Sequence, residues 1–326
     1  MNNVVISLSI SRDFGESPWF TSKSRLRVAN FHFMFSSSPL IYGVFDHSIE
    51  ASVLSHFLSK ASVLWGESRV GTGVKGVYKW VRFSGMSSEG NGGCILCESN
   101  IMLEIRHCQF RDVRCGGEGG ALFVRKASLI LLNSCFILCR TSRKGEQVGG
   151  NAWNIGGKSI IINEVEIFQC WIDTECGDSV CMFNDGEIDM RYKNTSKCVD
   201  NLHGEDICME YSDKICHNSF INTINCTFLN AQSVVDGTGL RIDSFANIID
   251  CLLRVYFIWQ RGASMQFENC CFFGNTQTSV YGNVTFKNCV GDFELTGITK
   301  LSIKSTINNR FVNACALTDR FTINSN

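Results

Sequence analysis

Proline is almost missing from this chain. Its 326 residues hold two, Pro18 and Pro39, both near the start. Past Pro39 every residue keeps its backbone N–H, which suits uninterrupted strand ladders. An excess of either charge is missing too, since 30 Lys+Arg stand against 31 Asp+Glu. That balance excludes a global basic field that would draw in nucleic acid or an anionic membrane. Long apolar runs are also absent. The longest apolar-rich stretch, 128–139, is too short to span a bilayer and contains Asn133. The opening MNNVVISLSI has no basic start and only a short apolar run before Arg12, which makes a poor signal peptide. The expectation is a chain that is soluble as given, or a portion of something larger. No Gly/Ser or Pro linker divides it, so a single domain is expected.

Cysteine is plentiful. There are 18, spread along the chain and mostly beside apolar residues, where a thiol behaves as a small hydrophobe. Many sit in a six-residue frame: apolar, any, Asn/Asp/His-like, Cys, any, apolar. The frame reads IRHCQF at 105–110, IIDCLL at 248–253 and FENCCF at 267–272. Looser copies are LNSCFI at 132–137, IFQCWI at 167–172, TINCTF at 223–228, FKNCVG at 286–291 and VNACAL at 312–317. With the fourth position as marker, the series runs Phe31, His56, Val81, Cys108, Cys135, Cys170, Cys198, Cys226, Cys251, Cys270, Cys289, Cys315. A frame returning every 20 to 35 residues or so marks a repeat architecture, and most of these steps are too short for two-helix repeats.

Within a unit, apolar residues alternate. Ile101, Leu103 and Ile105 share one side; then the phase flips and Cys108 and Phe110 share the other. A one-residue slip turns every side chain to the opposite face, so a flip inside a unit implies a bend between two short strands that face one core. The polar residue before the marker (His107, Asn225, Asp250, Asn269, Asn288) fits such a corner. Glycines punctuate the other end: Gly92-Gly93, Gly119-Gly120, Gly149-Gly150 and Gly237/Gly239. Strand, bend, strand, glycine corner, strand describes one coil of a parallel β-helix. The expected fold is all-β, a right-handed parallel β-helix (solenoid) of roughly ten to twelve coils, with handedness taken from the general rule for parallel crossovers. Coils stacked at roughly 4.8 Å would give a rod on the order of 55 Å. Residues 1–25 read as an N-terminal edge or cap, 26–317 as the β-helix and 318–326 as a C-terminal tail. TSRKGEQVGG at 141–150 reads as a loop extruded from a coil.

Stacking predicts ladders. Cys108, Cys135, Cys170, Cys226, Cys251, Cys270, Cys289 and Cys315 would lie above one another, as would Phe110, Phe228 and Phe272. Thiols stacked in adjacent coils would lie near enough to be bridged. The expectation is that they are chiefly reduced and structural, with oxidation open outside the cell.

The pairing of HCQF with the downstream GGALFV at 119–124 resembles the repeats of chlamydial polymorphic outer-membrane proteins. It resembles still more the cysteine-rich parasitic-protist proteins with pectin-lyase-like right-handed β-helices. GGCIL at 92–96, GGNAW at 149–153 and GTGLR at 237–241 are partial copies, and the resemblance covers roughly 26–317. It implies an adhesin-like β-helix at the cell surface or secreted, and assigns no catalytic residue. Members of such families often carry a membrane segment or secretion signal, and neither is visible in this sequence.

Catalytic constellations are not apparent. The candidate metal cluster is NDGEIDMR, where Asp185, Glu187 and Asp189 on one face of a strand could hold Ca²⁺ beside Arg191. A solvated strand face is the plain alternative. His203-Gly204 and 241–243 are fragments of polygalacturonase-type signatures, whose full sets are missing. Cys94-x-x-Cys97 has zinc spacing without a partner pair; on a strand its cysteines would face opposite sides. Three glycosylation triplets begin at Asn194, Asn225 and Asn283. Trp153, Trp171 and Trp259 are candidates for outward stacking surfaces. The expected function is a non-enzymatic scaffold without cofactor, presenting a long lateral face to glycans or proteins. The alternatives are a β-helix polysaccharide lyase or hydrolase, and a structural or degenerate member with no ligand.

Overall fold

Alternation along 102–115 breaks twice, and each break falls on one residue of positive φ. Leu103 and Ile105 are buried; His107 takes φ 52°; Cys108 and Phe110 are buried; Asp112 takes φ 49°; Val113 and Cys115 are buried. A single left-handed residue bends the strand and returns the next inward position to the same core. Asn, Asp and His tolerate that region best. The phase flip read between Ile105 and Cys108 thus has its origin at His107. The same two corners recur at Trp80 and Gly85, at Asn133 and Leu138, and at Glu164 and Gln169.

The computed structural model describes residues 74–142 and 152–170 without a break, together with strands outside that span from Asn3 to Lys300. Lys75–Ser88 pairs with Met102–Arg106 and Gln109–Cys115. These pair with Leu122–Ile137 and Arg140–Thr141, and Leu122–Ile137 pairs with Trp153–Phe168. A further side is formed by Ile95–Cys97, Leu122–Val124 and Trp153–Ile155. Every one of these pairings is parallel, and the result is an all-strand parallel β-solenoid, with about three turns in its continuous part. Among the described residues no helix is long and apolar enough to cross a membrane.

From the start of one side to the end of the third, each coil uses an arc of equal length. Lys75–Ser88 spans 14 residues, and its ends register on Met102 and Cys115, then on Ser128 and Thr141. Differences in coil length fall on the remaining side, where the glycine corner lies. There Gly92 and Gly119 have φ of 63° and 72°, and a methyl group on Gly119 would sit 2.5 Å from the carbonyl oxygen of Leu122. Gly93 N–H donates to Gly120 O at 2.7 Å across the coils. Gly149, Gly150 and Gly239 lie outside the described residues, and Gly237 closes the strand Val235–Gly237.

The core is built of columns. Tyr78, Ile105, Leu131 and Ile162 stack in register, all fully buried. Beside them Phe83, Phe110 and Phe136 stack with ring centroids 4.8 and 4.6 Å apart and ring planes nearly parallel, and Trp153 closes the column edge-on at 5.0 Å. This aromatic column corrects the cysteine ladder. Phe136, not Ile137, pairs with Phe110, so the coil step is 26 residues and Cys135 registers with Gln109 instead of Cys108. The next step is 31: Phe136 meets Ile167, and Cys135 meets Glu166 instead of Cys170. Burying and stacking a ring is worth more than aligning a thiol, and the register follows the rings. Val81 and Cys108 do share a column, since Arg82 pairs with Gln109.

Two other markers register differently from the frame. Val81 pairs with Ser52 instead of the reading's His56. Phe228 pairs with Asp200 and Leu253 in a separate short sheet, outside the column of Phe110. Phe272, through Ile248, Thr223, Thr195, Ile167 and Phe136, does register in the column of Phe110, as expected. The copies at 267 and 286 register as read, Phe267 on Phe286. Cys226, Cys251, Cys270 and Cys315 lie outside the described residues. Asn3–Arg12, within the stretch read as an edge, pairs in parallel with Arg25–Ser36; 318–326 is outside the described residues.

Truncating the middle ring should be costly. Phe110→Ala is expected to lower unfolding free energy by about 3–5 kcal/mol, measured by denaturant titration. A loss under ~1 kcal/mol would contradict a close-packed column.

Candidate functional site

The outer side of the strand Met102–Arg106 carries Met102, Glu104 and Arg106, with Lys75 alongside from the preceding coil. Met102 is 43% exposed, and Ile161 two coils on is 39% exposed. Between them Glu104 is almost covered. Its carboxylate pairs with Lys75 Nζ and with Arg106 Nε at 2.5 Å. Burial pushes its pKa up, but the hydrogen bonds and charges of Lys75 and Arg106 outweigh it and hold the carboxyl below its ordinary value. At the adjoining corner Trp80, 36% exposed, stacks on His107 at 4.0 Å. Burial and the Arg106 charge hold the His107 imidazole below its ordinary value, against the pull of Glu164. A second polar group sits by the glycine corner. Glu118 accepts from Asn154 Nδ2 at 2.8 Å and pairs with Arg125 at 3.3 Å, while Arg125 lies 4.7 Å over the Phe123 ring.

The residues singled out by sequence are distributed differently. Glu187 and Asp189 lie on the strand Glu187–Ser196, in register with Ser159 and Ile161. Ile188 and Met190 on either side of Asp189 are buried, so strand alternation puts Asp189 on the outer side. Asp185 lies outside the described residues. Among the described residues no three His, Cys, Asp or Glu come together as a metal site. Cys94 and Cys97 do not face opposite sides: both are fully buried, because Cys94 precedes the strand Ile95–Cys97 and belongs to the glycine corner. Trp153 is fully buried in the aromatic column, not outward. Trp259 registers with Asp236 and Tyr281. Trp171, His203, Gly204 and 241–243 are outside the described residues. Asn194 registers with Glu166, between two buried residues, Lys193 and Thr195. Asn225 and Asn283 are outside the described residues.

Two features escaped the sequence reading. Trp80 is an exposed ring at a corner, where alternation along Lys75–Ser88 changes phase. Lys193 takes the inward position that Val165 holds one coil earlier, and its ammonium donates to Thr195 Oγ1 at 2.5 Å inside the core. The signal available was the same phase change, one coil step of 28 residues after Glu164.

Nine cysteines, Cys94, Cys97, Cys108, Cys115, Cys135, Cys139, Cys170, Cys181 and Cys198, are all buried and none of the nine is in a disulfide. Burial pushes Cys97 and Cys108 up to about 12 and Cys115 to about 11, against hydrogen bonds that favour the thiolate. Cys94, Cys139 and Cys170 are raised by burial as well. Nucleophilic cysteine chemistry requires the opposite arrangement, a lowered pKa and access.

No family model, curated protein or solved structure matches the chain.

Two pH effects follow. A thiol whose folded pKa is raised contributes stability below its unfolded value of ~8.5, and that contribution is lost as pH climbs to the folded value. Denaturant midpoints should therefore fall between about pH 8.5 and 12. Cys108→Val, which copies Val81 of the neighbouring coil, should soften that fall; an unchanged slope would refute the assignment. Glu104 has the opposite sign. Its contribution is present above the ordinary carboxylate value of ~4.3 and is lost as pH falls through the depressed folded value. Glu104→Gln should cost ~1 kcal/mol at neutral pH, a figure kept small because Lys75 and Arg106 are well exposed. The difference from wild type should vanish in acid, and a gap that persisted there would exclude the charge pairing as its source.

Proposed function

We propose that the chain is a non-enzymatic, right-handed parallel β-helix of ten to twelve coils that serves as an adhesin-like binding scaffold of surface type. Support for the coil number comes from parallel pairings that run from Asn3–Arg12 to Cys289–Gly291. Right-handedness follows from the strong preference of parallel crossovers.

The observation that carries the reading is the division between inside and outside. Inward positions are filled by stacked Tyr, Phe, Ile, Leu and thiol side chains, and the described thiols with shifted pKa are all raised by burial. Chemical variety lies on the flat outer sides: Trp80 on His107, Met102 and Ile161 beside the Lys75–Glu104–Arg106 group, and Arg125 with Glu118. Such a surface suits many weak contacts along a rigid rod, and the partners would be polymeric glycans or extended proteins. Avidity from repeated contact can exceed single-site affinity by 10² to 10⁴. A polysaccharide lyase or hydrolase is the second reading, favoured by Glu187 and Asp189 standing two residues apart on one strand.

Arrays of polymeric and monomeric glycans and of extended protein ligands, probed with the full chain, test the proposal. Retention on polymers at least about a hundredfold above the matching monomers is expected, together with no rise in double-bond absorbance from acidic polysaccharides. Turnover of any of these substrates would replace the scaffold reading with the enzyme one. Blank arrays would leave a structural role without ligand.

A further inference from the structure

One column of the core consists of thiols. Ile137 pairs with Phe168, and Phe168 pairs with Ser196. Two residues further along each strand lie Cys139, Cys170 and Cys198, all fully buried. Cys139 and Cys198 are both neighbours of the Cys170 thiol. Each of the first two thiols also approaches a main-chain carbonyl of the coil before it. Cys139 Sγ lies 3.5 Å from Phe110 O, and Cys170 Sγ 3.7 Å from Phe136 O. One and two coils earlier the same column holds Val113 and Met86, so the thiols begin at Cys139. Equivalent positions of adjacent coils lie about 4.8 Å apart, inside the 4.4–6.8 Å between Cα atoms that a disulfide spans. This column differs from the one the spacing of Cys108, Cys135 and Cys170 suggested.

We propose that this column is an oxidative cross-linking site, at which a small-molecule disulfide joins Cys170 to either Cys139 or Cys198. The Cys170 thiolate attacks the reagent; the reagent's S–S bond breaks, a mixed disulfide forms and one small thiol leaves. The thiolate of Cys139 or Cys198 then attacks the Cys170 sulfur, and the second small thiol leaves. Two protein thiols are oxidised, the reagent is reduced to two thiols, and the two protons lost by the protein are taken up by them. Because Cys170 is common to both bonds, one chain carries one of them and the third thiol stays reduced. Burial keeps Cys139 and Cys170 protonated in the closed stack, so exchange passes through transient opening of neighbouring coils. The bond ties one coil to the next across a loop of about thirty residues, which lowers the entropy of the opened chain. The inference is independent of the binding reading.

The test is oxidation of the native full chain with oxidised glutathione, followed by alkylation, tryptic digestion and fragmentation of linked peptides. Cleavage at Arg140, Lys158, Arg191 and Lys197 places the three cysteines in separate peptides. Cys139–Cys170 and Cys170–Cys198 links are expected in different molecules, with two of the three thiols lost to alkylation per chain. Cys139→Ser should retain only Cys170–Cys198, and Cys170→Ser should lose both links. A folded, oxidised chain in which Cys170 remains alkylatable, or pairs outside the column, overturns the proposal. So does a Cys139–Cys198 link in the Cys170→Ser chain, since those residues lie two coil rises, about 10 Å, apart. A denatured, oxidised sample supplies the pattern of unguided pairing among all 18 cysteines, and a native pattern indistinguishable from it counts against the site as well.

Discussion

Register between coils is the constraint on which this molecule depends. Main-chain hydrogen bonds hold each coil to the next, and a slip by one residue would turn a buried face outward. What selects the register is volume. Phe83, Phe110 and Phe136 can stack ring on ring in only one alignment, and that alignment carries every other column with it. Cys135 ends up opposite Gln109 because Phe136 must lie on Phe110. A thiol tolerates the shift, having little volume and little polarity to lose.

The same register decides where charge can go. On the outer side, neighbouring coils place Lys75 and Arg106 against Glu104, so a nearly covered carboxylate is compensated by groups from two coils. On the inner side, Lys193 occupies a position that valine fills one coil before, and it is tolerated with Thr195 as its acceptor. Glu104 and Lys193 are thus each satisfied by side chains brought together by stacking or by the pleat, a local solution reached with different residues. An extended surface with that property can vary coil by coil without disturbing its support.

Much of the architecture was legible in the sequence, and the errors have one source. Alternation, the phase flip before Cys108 and the glycine pairs at 92–93 and 119–120 were enough to give strands, a corner and a turn. The second corner, at Asp112 and its equivalents, was not seen, because Leu138 and Gln169 are unusual residues for a left-handed position. Cysteine alignment failed where LNSCFI offers apolar residues at both of two adjacent positions, and only ring packing chooses between them. The step to Cys170 failed because extra residues enter on the glycine side of the coil. Of the candidate site, the outward place of Asp189 followed from alternation. Burial of Trp153 and exposure of Trp80 depended on which phase each strand adopts, and a tryptophan does not announce its phase.

The constant arc from Lys75 to Ser88 and its copies has an implication for how such a chain can change. Three sides meet at corners one residue wide, so no residue can be added or removed there without throwing the following side out of phase. The fourth side already absorbs differences: between Thr141 and Trp153 the chain is longer than between Cys115 and Leu122, yet both coils resume the same register. Insertions and deletions over generations would therefore accumulate along a single seam running down the rod, leaving the other three flanks as rulers of fixed gauge.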